Sequence, residues 1–300
     1  MIKNALGVTH MSIENKDTHK EILSDISTRL ATCRISECAY FTRHTVMVPS
    51  RDGVREIISK LEGLMFPDYF LAFSDREKGT DVLLDEAFLC LKRQLTAAYS
   101  FFDEDRVVDT ETLAYRMLDK LPGIKDKLLR DIVAIYEGDP AARSPEEVLL
   151  SYPGFLAIMI YRIAHELYLI GVPYIPRMMT EQAHAETGID IHAGATIGEY
   201  FFIDHGTGIV IGETTTIGDR VKIYQGVTLG AKSFELDSDG NPIKGIKRHP
   251  DIGNDCIIYA NATILGGNTR IGDGCVIGGN VWLTHSVEPG KVVYYNEKHS

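Results

Sequence analysis

Apolar residues follow two unlike rhythms along this chain. Up to about residue 187 they recur at three and four, as the buried stripe of a helix does. Ile22, Leu23, Ile26 and Leu30 form one such face, and Val54, Ile57, Ile58, Leu61 and Leu64 form another that ends before Pro67. Residues 81–102 carry Val82, Leu83, Phe88, Leu91, Leu95 and Tyr99 in the same pattern. Asp109 or Thr110 can cap the next helix, which should stop at Pro122-Gly123; a further one over 125–136 is closed by Gly138. Ser144-Pro145-Glu146-Glu147 is a helix start, with serine as cap, proline at the first helical position and glutamate three residues after the cap. Residues 155–170 are apolar on most sides and predict a buried helix ending at Gly171. A last helix, roughly 176–186, leads to Gly188.

At Ile189 the rhythm becomes six. Ile191, Ile197 and Ile203 start it, and Ile211, Ile217, Ile223 and Leu229 continue it. After a break come Ile252, Ile258 and Ile264, then Ile271, Ile277 and Leu283. Glycine follows the aliphatic residue at seven of these positions, beginning with Ile197-Gly198 and Ile211-Gly212. A six-residue period suits neither a helix face nor a simple strand. It predicts a parallel β-helix whose aliphatic residues fill a triangular coil, three hexads to a turn, each coil stacked on the next. The expected organisation is a helical domain over residues 1–187 and a solenoid domain over 188–300.

Three departures from the period stand out. The step from Ile203 to Ile211 is too long, and the step from Ile264 to Ile271 has one extra residue. Residues 231–251 form a polar excursion ending in the basic run Lys244-Gly245-Ile246-Lys247-Arg248-His249-Pro250. We read it as an arm projecting from the coil, since a loop this long in a compact solenoid is usually functional or disordered. The first irregularity holds Asp204 and His205 in an aliphatic wall, where charge is costly unless it serves a site or has partners. That pair is the candidate chemical centre.

Composition narrows the classes. Hydrophobic content of 44% and charged content of 24% suit a globular protein, and a net charge of −11 argues against a broad nucleic-acid surface. The five cysteines, Cys33, Cys38, Cys90, Cys256 and Cys275, are odd in number and include no Cys-x-x-Cys pair, which points to buried thiols in a reducing compartment. The polar start of the chain is no signal peptide, and its most apolar run is far shorter than the roughly 20 residues of a membrane span. A cytoplasmic protein is expected, with neither membrane nor nucleic-acid partners.

Residues 139–283 resemble the serine acetyltransferases, hexapeptide acyltransferases that acetylate L-serine on the route to cysteine. The resemblance lies in Asp139-Pro140-Ala141, in Pro153-Gly154-Phe155 with residues 161–165, and in Asp190-Ile191-His192. It continues in Asp204-His205-Gly206-Thr207-Gly208-Ile209-Val210-Ile211-Gly212-Glu213, in Gly226-Val227-Thr228-Leu229-Gly230 and in Arg248-His249-Pro250. It implies an α+β fold, an N-terminal all-α domain followed by a left-handed parallel β-helix; the period itself carries no hand. It further implies trimers, often paired into hexamers, with active sites between neighbouring coils. By position, His205 would be the general base and Asp190 its orienting partner. Asp139 and Asp204 would hold the substrate ammonium, and Arg248 with His249 its carboxylate. The donor would be acetyl-CoA, contacted by Gly230, Ala231, Ala260 and Gly279, and on grounds of charge Lys232, Lys244 and Lys247 would meet its phosphates. Feedback inhibition by L-cysteine is expected, since it shares both charged ends with serine. Many members bind O-acetylserine sulfhydrylase through a C-terminal isoleucine; this chain ends in Lys298-His299-Ser300, so that partner is not expected.

The chemistry is sensible without the family. A serine hydroxyl attacking a thioester must lose its proton, and a positioned imidazole can accept it. A carboxylate beside the imidazole fixes its tautomer and stabilises the cation that forms. An α-amino acid carries separated charges, so selecting it needs carboxylates at one end and an arginine fork at the other. An acetyltransferase for a sugar or other small hydroxyl acceptor would need no ammonium-binding acids, and a scaffolding trimer would need no base. His192, His205, His249 and His285 are available as zinc ligands, but their spacing does not suit a three-histidine site, and no metal is expected.

Overall fold

The computed structural model describes residues 16–32, 47–103 and 105–295. The chain divides into two compact units, Met1–Val46 and Met47–Ser300. The first contributes α1 (Lys16–Thr32), on which Leu23, Ile26 and Leu30 are exposed. The polar first residues, Cys33, Cys38 and the terminal Lys298-His299-Ser300 lie outside the described residues.

The second unit begins with α2 (Arg51–Met65), α3 (Pro67–Phe70), α4 (Thr80–Phe102), α5 (Thr110–Gly138), α6 (Pro145–Ser151), α7 (Pro153–Leu169) and α8 (Ile175–Thr187). Their starts follow the capping chemistry. Ser50, Asp109 and Ser144 each accept a backbone N–H from three residues on. Glu147 does not complete a capping box at α6: its carboxylate accepts the N–H of Arg143 and not that of the cap. One expectation fails: α5 runs straight through Pro122, where two helices were predicted. Proline removes one i→i−4 bond. Burial of Leu121 and Ile124 on either side, with Leu128 a turn further on, offsets that loss by seating both halves in one core.

Fourteen short strands follow. The first coil is β1 (Asp190–Ile191), β2 (Thr196–Ile197) and β3 (Phe202–Asp204), and the second is β4 (Val210–Ile211), β5 (Thr216–Ile217) and β6 (Lys222–Tyr224). The third is β7 (Thr228–Gly230), β8 (Asp251–Ile252) and β9 (Ile257–Ile258), and the fourth is β10 (Thr263–Leu265), β11 (Arg270–Ile271) and β12 (Val276–Ile277). β13 (Trp282–Leu283) and β14 (Val292–Val293) continue the rise. All named pairs are parallel and form three faces: β1-β4-β7-β10-β13, β2-β5-β8-β11 and β3-β6-β9-β12-β14.

Every hexad aliphatic residue is buried, and the register stacks like on like. Ile191 pairs with Ile211, Ile211 with Leu229, Leu229 with Ile264 and Ile264 with Leu283. The glycines behind Ile197, Ile217, Ile252 and Ile271 form a column. A Cβ at Gly198 would lie 2.7 Å from the Gly218 carbonyl carbon, and one at Gly218 would lie 2.9 Å from that of Gly253. Small residues are therefore required by coil-to-coil contact. Several corners turn through left-handed backbone at residues other than glycine, including Tyr200, Arg220 and Asp255 before the third face. The arm doubles back on itself between Glu235 and Ile243 around an Asp237 turn, and most of it is exposed.

The helices grip the first coil through α7. Arg162 donates two hydrogen bonds to Asp131 on α5, at 2.6 and 2.9 Å, and reaches the carbonyls of Ile197 and Gly198. Asp131, fully buried, also accepts the N–H of Phe201. Tyr161 donates to the Ala195 carbonyl, and His165 Nδ1 lies 2.7 Å from that of Ala193. Burial depresses the His165 pKa, which favours a neutral ring donating to that carbonyl.

Candidate functional site

The expected site residues gather at two corners of the coil, one at each end of β4. The first holds His205. Two residues beyond the usual period bulge the chain out after β3, with His205 at φ 57° and Gly206 at φ 86°. The ring leaves the wall and stands 70% exposed, its Nδ1 3.5 Å from Asp204 Oδ1. Asp139, just past the end of α5, is brought to the same corner. Its Oδ2 accepts the Tyr152 hydroxyl at 2.6 Å and its Oδ1 the N–H of Ala141 at 2.8 Å. These two bonds, with a smaller contribution from His205, hold the Asp139 carboxyl below the usual range, while the same contact pushes the Tyr152 phenol up to about 12. Tyr224, stacked on Tyr259 at 5.2 Å, walls this corner; burial first and then Asp204 raise its pKa.

The second corner holds the basic end of the arm. Arg248 pairs with Glu213, which also accepts the Tyr168 hydroxyl at 3.1 Å. Thr214 binds both residues of the Arg248-His249 step through its backbone and hydroxyl. His249 is buried there, and burial with Arg248 beside it pushes its pKa down to about 4. Lys247 is committed to the Asp251 carboxylate and the Thr214 carbonyl, which leaves Lys232 and Lys244 as the freer cations of the arm.

Three placements bear on the sequence expectations. No hydrogen bond or ion pair joins Asp190 to His205 among the described residues, and the carboxylate on the His205 ring is that of Asp204. Asp190 instead shares a cluster with Glu181 and His184, their ligating atoms within 4.8 Å of one another. That is the group of metal-ligating type among the described residues, and none of the four histidines available for zinc belongs to it. Lastly, the acids and the carboxylate-binding pair do not meet within one chain. Residues 209–212 separate them, roughly 13 Å of extended backbone at about 3.3 Å per residue. An α-amino acid, whose charged groups sit on one carbon, cannot span that. The proposed donor contacts divide likewise: Gly230 and Ala231 lie at the arm corner, while Ala260 and Gly279 follow β9 and β12 at the His205 corner.

Tyr152, Glu213 and Thr214 were not singled out from the sequence. Tyr152 reads there as a helix boundary, and only the turn between α6 and α7 reveals its reach to Asp139. No single helix among the described residues is long and apolar enough to cross a membrane.

Comparison with known proteins bears on the family of the chain. Residues 103–159 match the model of the serine acetyltransferase N-terminal region. The chain is 45% identical over 263 residues to the plasmid serine acetyltransferase of Synechococcus elongatus, covering 82% of this chain and 81% of the relative. Among solved structures, Entamoeba histolytica serine acetyltransferase 1 in complex with L-cysteine superposes with a TM-score of 0.69 at 40% identity, over 79% of this chain and 86% of that one. A serine acetyltransferase in complex with CoA aligns at a TM-score of 0.51 and 27% identity, over 79% and 93%. The architecture is a helical N-terminal region leading into a left-handed parallel β-helix. On this evidence the chain is an acyltransferase and belongs to the serine acetyltransferase family.

Proposed function

We propose that this protein transfers the acetyl group of acetyl-CoA to the hydroxyl of L-serine, using His205 as general base, at sites shared between copies of a homotrimer. The carrying observation is the placement of complementary charge at the two ends of β4. One end presents Asp139, Asp204 and an exposed imidazole, and the other presents Arg248 and His249. Neither end can hold an amino acid alone, and a threefold assembly sets one end against the other on a neighbouring copy. The relatives' names, and the neighbours bound to L-cysteine and to CoA, support the acceptor, the donor and an inhibitory role for cysteine at the serine site.

In this reading Asp139 and Asp204 take the serine ammonium and Arg248 its carboxylate. His205 Nε2 accepts the hydroxyl proton as the serine oxygen attacks the thioester carbon. Asp204, on the other ring nitrogen, stabilises the imidazolium. Collapse of the tetrahedral adduct breaks the C–S bond, and the imidazolium returns the proton to the leaving thiolate, giving O-acetylserine and free CoA thiol. Gly230, Ala231, Ala260 and Gly279 supply the small surfaces along which the pantetheine arm would lie.

The experiment is thiol release from acetyl-CoA with L-serine or with sugars as acceptor. We expect turnover with serine, a fall in kcat of about 10²-fold or more in His205→Ala, and loss of serine turnover in Asp139→Ala. Release with a sugar and none with serine would favour the other acceptor class, and near-normal turnover in His205→Ala would refute the base.

A further inference from the structure

The ring of His249 is held from one side only. It is 7% exposed. Its Nδ1 accepts the backbone N–H of Thr214 at 3.1 Å and lies 2.9 Å from the Thr214 hydroxyl oxygen. That oxygen already accepts two backbone N–H groups, from Arg248 at 3.0 Å and from His249 itself at 3.1 Å. A hydroxyl has two lone pairs and one hydrogen. With both lone pairs taken, the hydrogen is left for Nδ1. A backbone amide can only donate, so Nδ1 carries no proton and a neutral ring must carry it on Nε2.

Nε2 makes no hydrogen bond to any described residue, yet it is not sealed from solvent. It lies over Gly212, where a Cβ would come within 2.2 Å of it, so the glycine at the end of β4 is what admits the ring. The surroundings also disfavour a second proton. Burial comes first, then Arg248; Lys247 and His192 act in the same direction, and Glu213 alone opposes them. The corner thus holds a fixed N–H, with no partner among the described residues, beside a guanidinium. Arg248 complements it. One amino group of its fork is held by Glu213 and the other contacts the Ile246 carbonyl, leaving three of its five N–H groups for a ligand.

We infer that Thr214 is a positioning residue: it holds His249 as a neutral imidazole protonated on Nε2, and that N–H meets the amino-acid carboxylate beside Arg248 as a hydrogen-bond donor, with no part in proton transfer. The carboxylate half rests on the function proposed above, and the tautomer half does not. One cation and one neutral donor then recognise the carboxylate. The two histidines of the site consequently differ in kind, one exposed and able to exchange a proton, the other clamped.

The test pairs a spectrum with kinetics. In the full-length protein labelled with ¹⁵N-histidine, His249 is assigned as the ring lost in His249→Gln. From about pH 6 to about pH 8 it should show an unprotonated Nδ1 and a protonated Nε2. A protonated Nδ1, or a ring that titrates across that range, overturns the lock. Thr214→Val keeps the backbone N–H but loses the hydroxyl; we expect KM for serine to rise about tenfold with kcat within about threefold, and Thr214→Ser to restore it. His249→Asn, whose shorter amide cannot reach the Nε2 position, should raise KM for serine about tenfold. A fall in kcat at unchanged KM would place His249 in proton transfer and sink the inference. If serine is not acetylated at all but the spectrum shows the stated tautomer, the carboxylate assignment fails and the role of Thr214 stands.

Discussion

At the scale of single residues, Asp139 and Tyr152 show how a helix terminus becomes a binding group. An aspartate after a long helix is ordinarily a solvated turn residue. Here both its oxygens are occupied by donors, which favours the charged form and points it one way. Tyr152→Phe removes the stronger contact. We expect KM for serine to rise roughly three- to tenfold with kcat little changed. The direction of the pH effect follows from the same bond. Hydrogen bonding to the carboxylate lowers the Asp139 pKa, so losing it lets the pKa rise, and the acid limb of kcat/KM should move to higher pH. An unmoved limb would separate Asp139 from ammonium binding. His205 was legible in the sequence because a charged pair interrupts an aliphatic wall at a break in its period. Tyr152 and Thr214 were not, because their roles depend on partners 13 and 35 residues away, and a tyrosine before proline or a threonine in a solenoid turn is otherwise unremarkable.

At the scale of elements, the hexad period carried nearly all the information about the solenoid, since every coil must place an aliphatic residue inward and a small one at the contact. The helices were legible from their stripes and caps, but their seating was not. Arg162, within the 161–165 stretch, has no partner visible in the sequence order. It joins α5, α7 and the first coil through one buried guanidinium. Removing it leaves Asp131 buried with only the Phe201 N–H. Arg162→Met should therefore cost about 3–5 kcal/mol, lowering Tm by roughly 6 °C or more. A Tm within about 2 °C of wild type would show that apolar contact alone seats the helices. The break predicted at Pro122 failed for a similar reason: burial on both sides outweighs one missing backbone bond.

At the scale of the whole molecule, the proposed function makes assembly part of the chemistry, since it needs both separated corners at one site. His205→Ala and Arg248→Ala each damage a different end of β4. Mixed after dissociation and reassembly, the two inactive proteins should regain activity at about one quarter of their sites, those where an intact His205 corner meets an intact Arg248 corner. No recovery in verified mixed trimers would place both corners of each site on one chain. This division could not be read from the linear order, because residues 205 and 248 become distant only when the face between them is built.

One corner of the coil, between β2 and β3, bears on how the protein could be improved. Tyr200 turns there through left-handed backbone at φ 55°, a conformation that costs most residues but suits asparagine. Replacing it, as in Tyr200→Asn, should raise stability by about 0.5–1 kcal/mol, seen as a higher melting temperature at unaltered turnover. Durability could thus be engineered along one edge of this molecule while the two charged corners are left as they are.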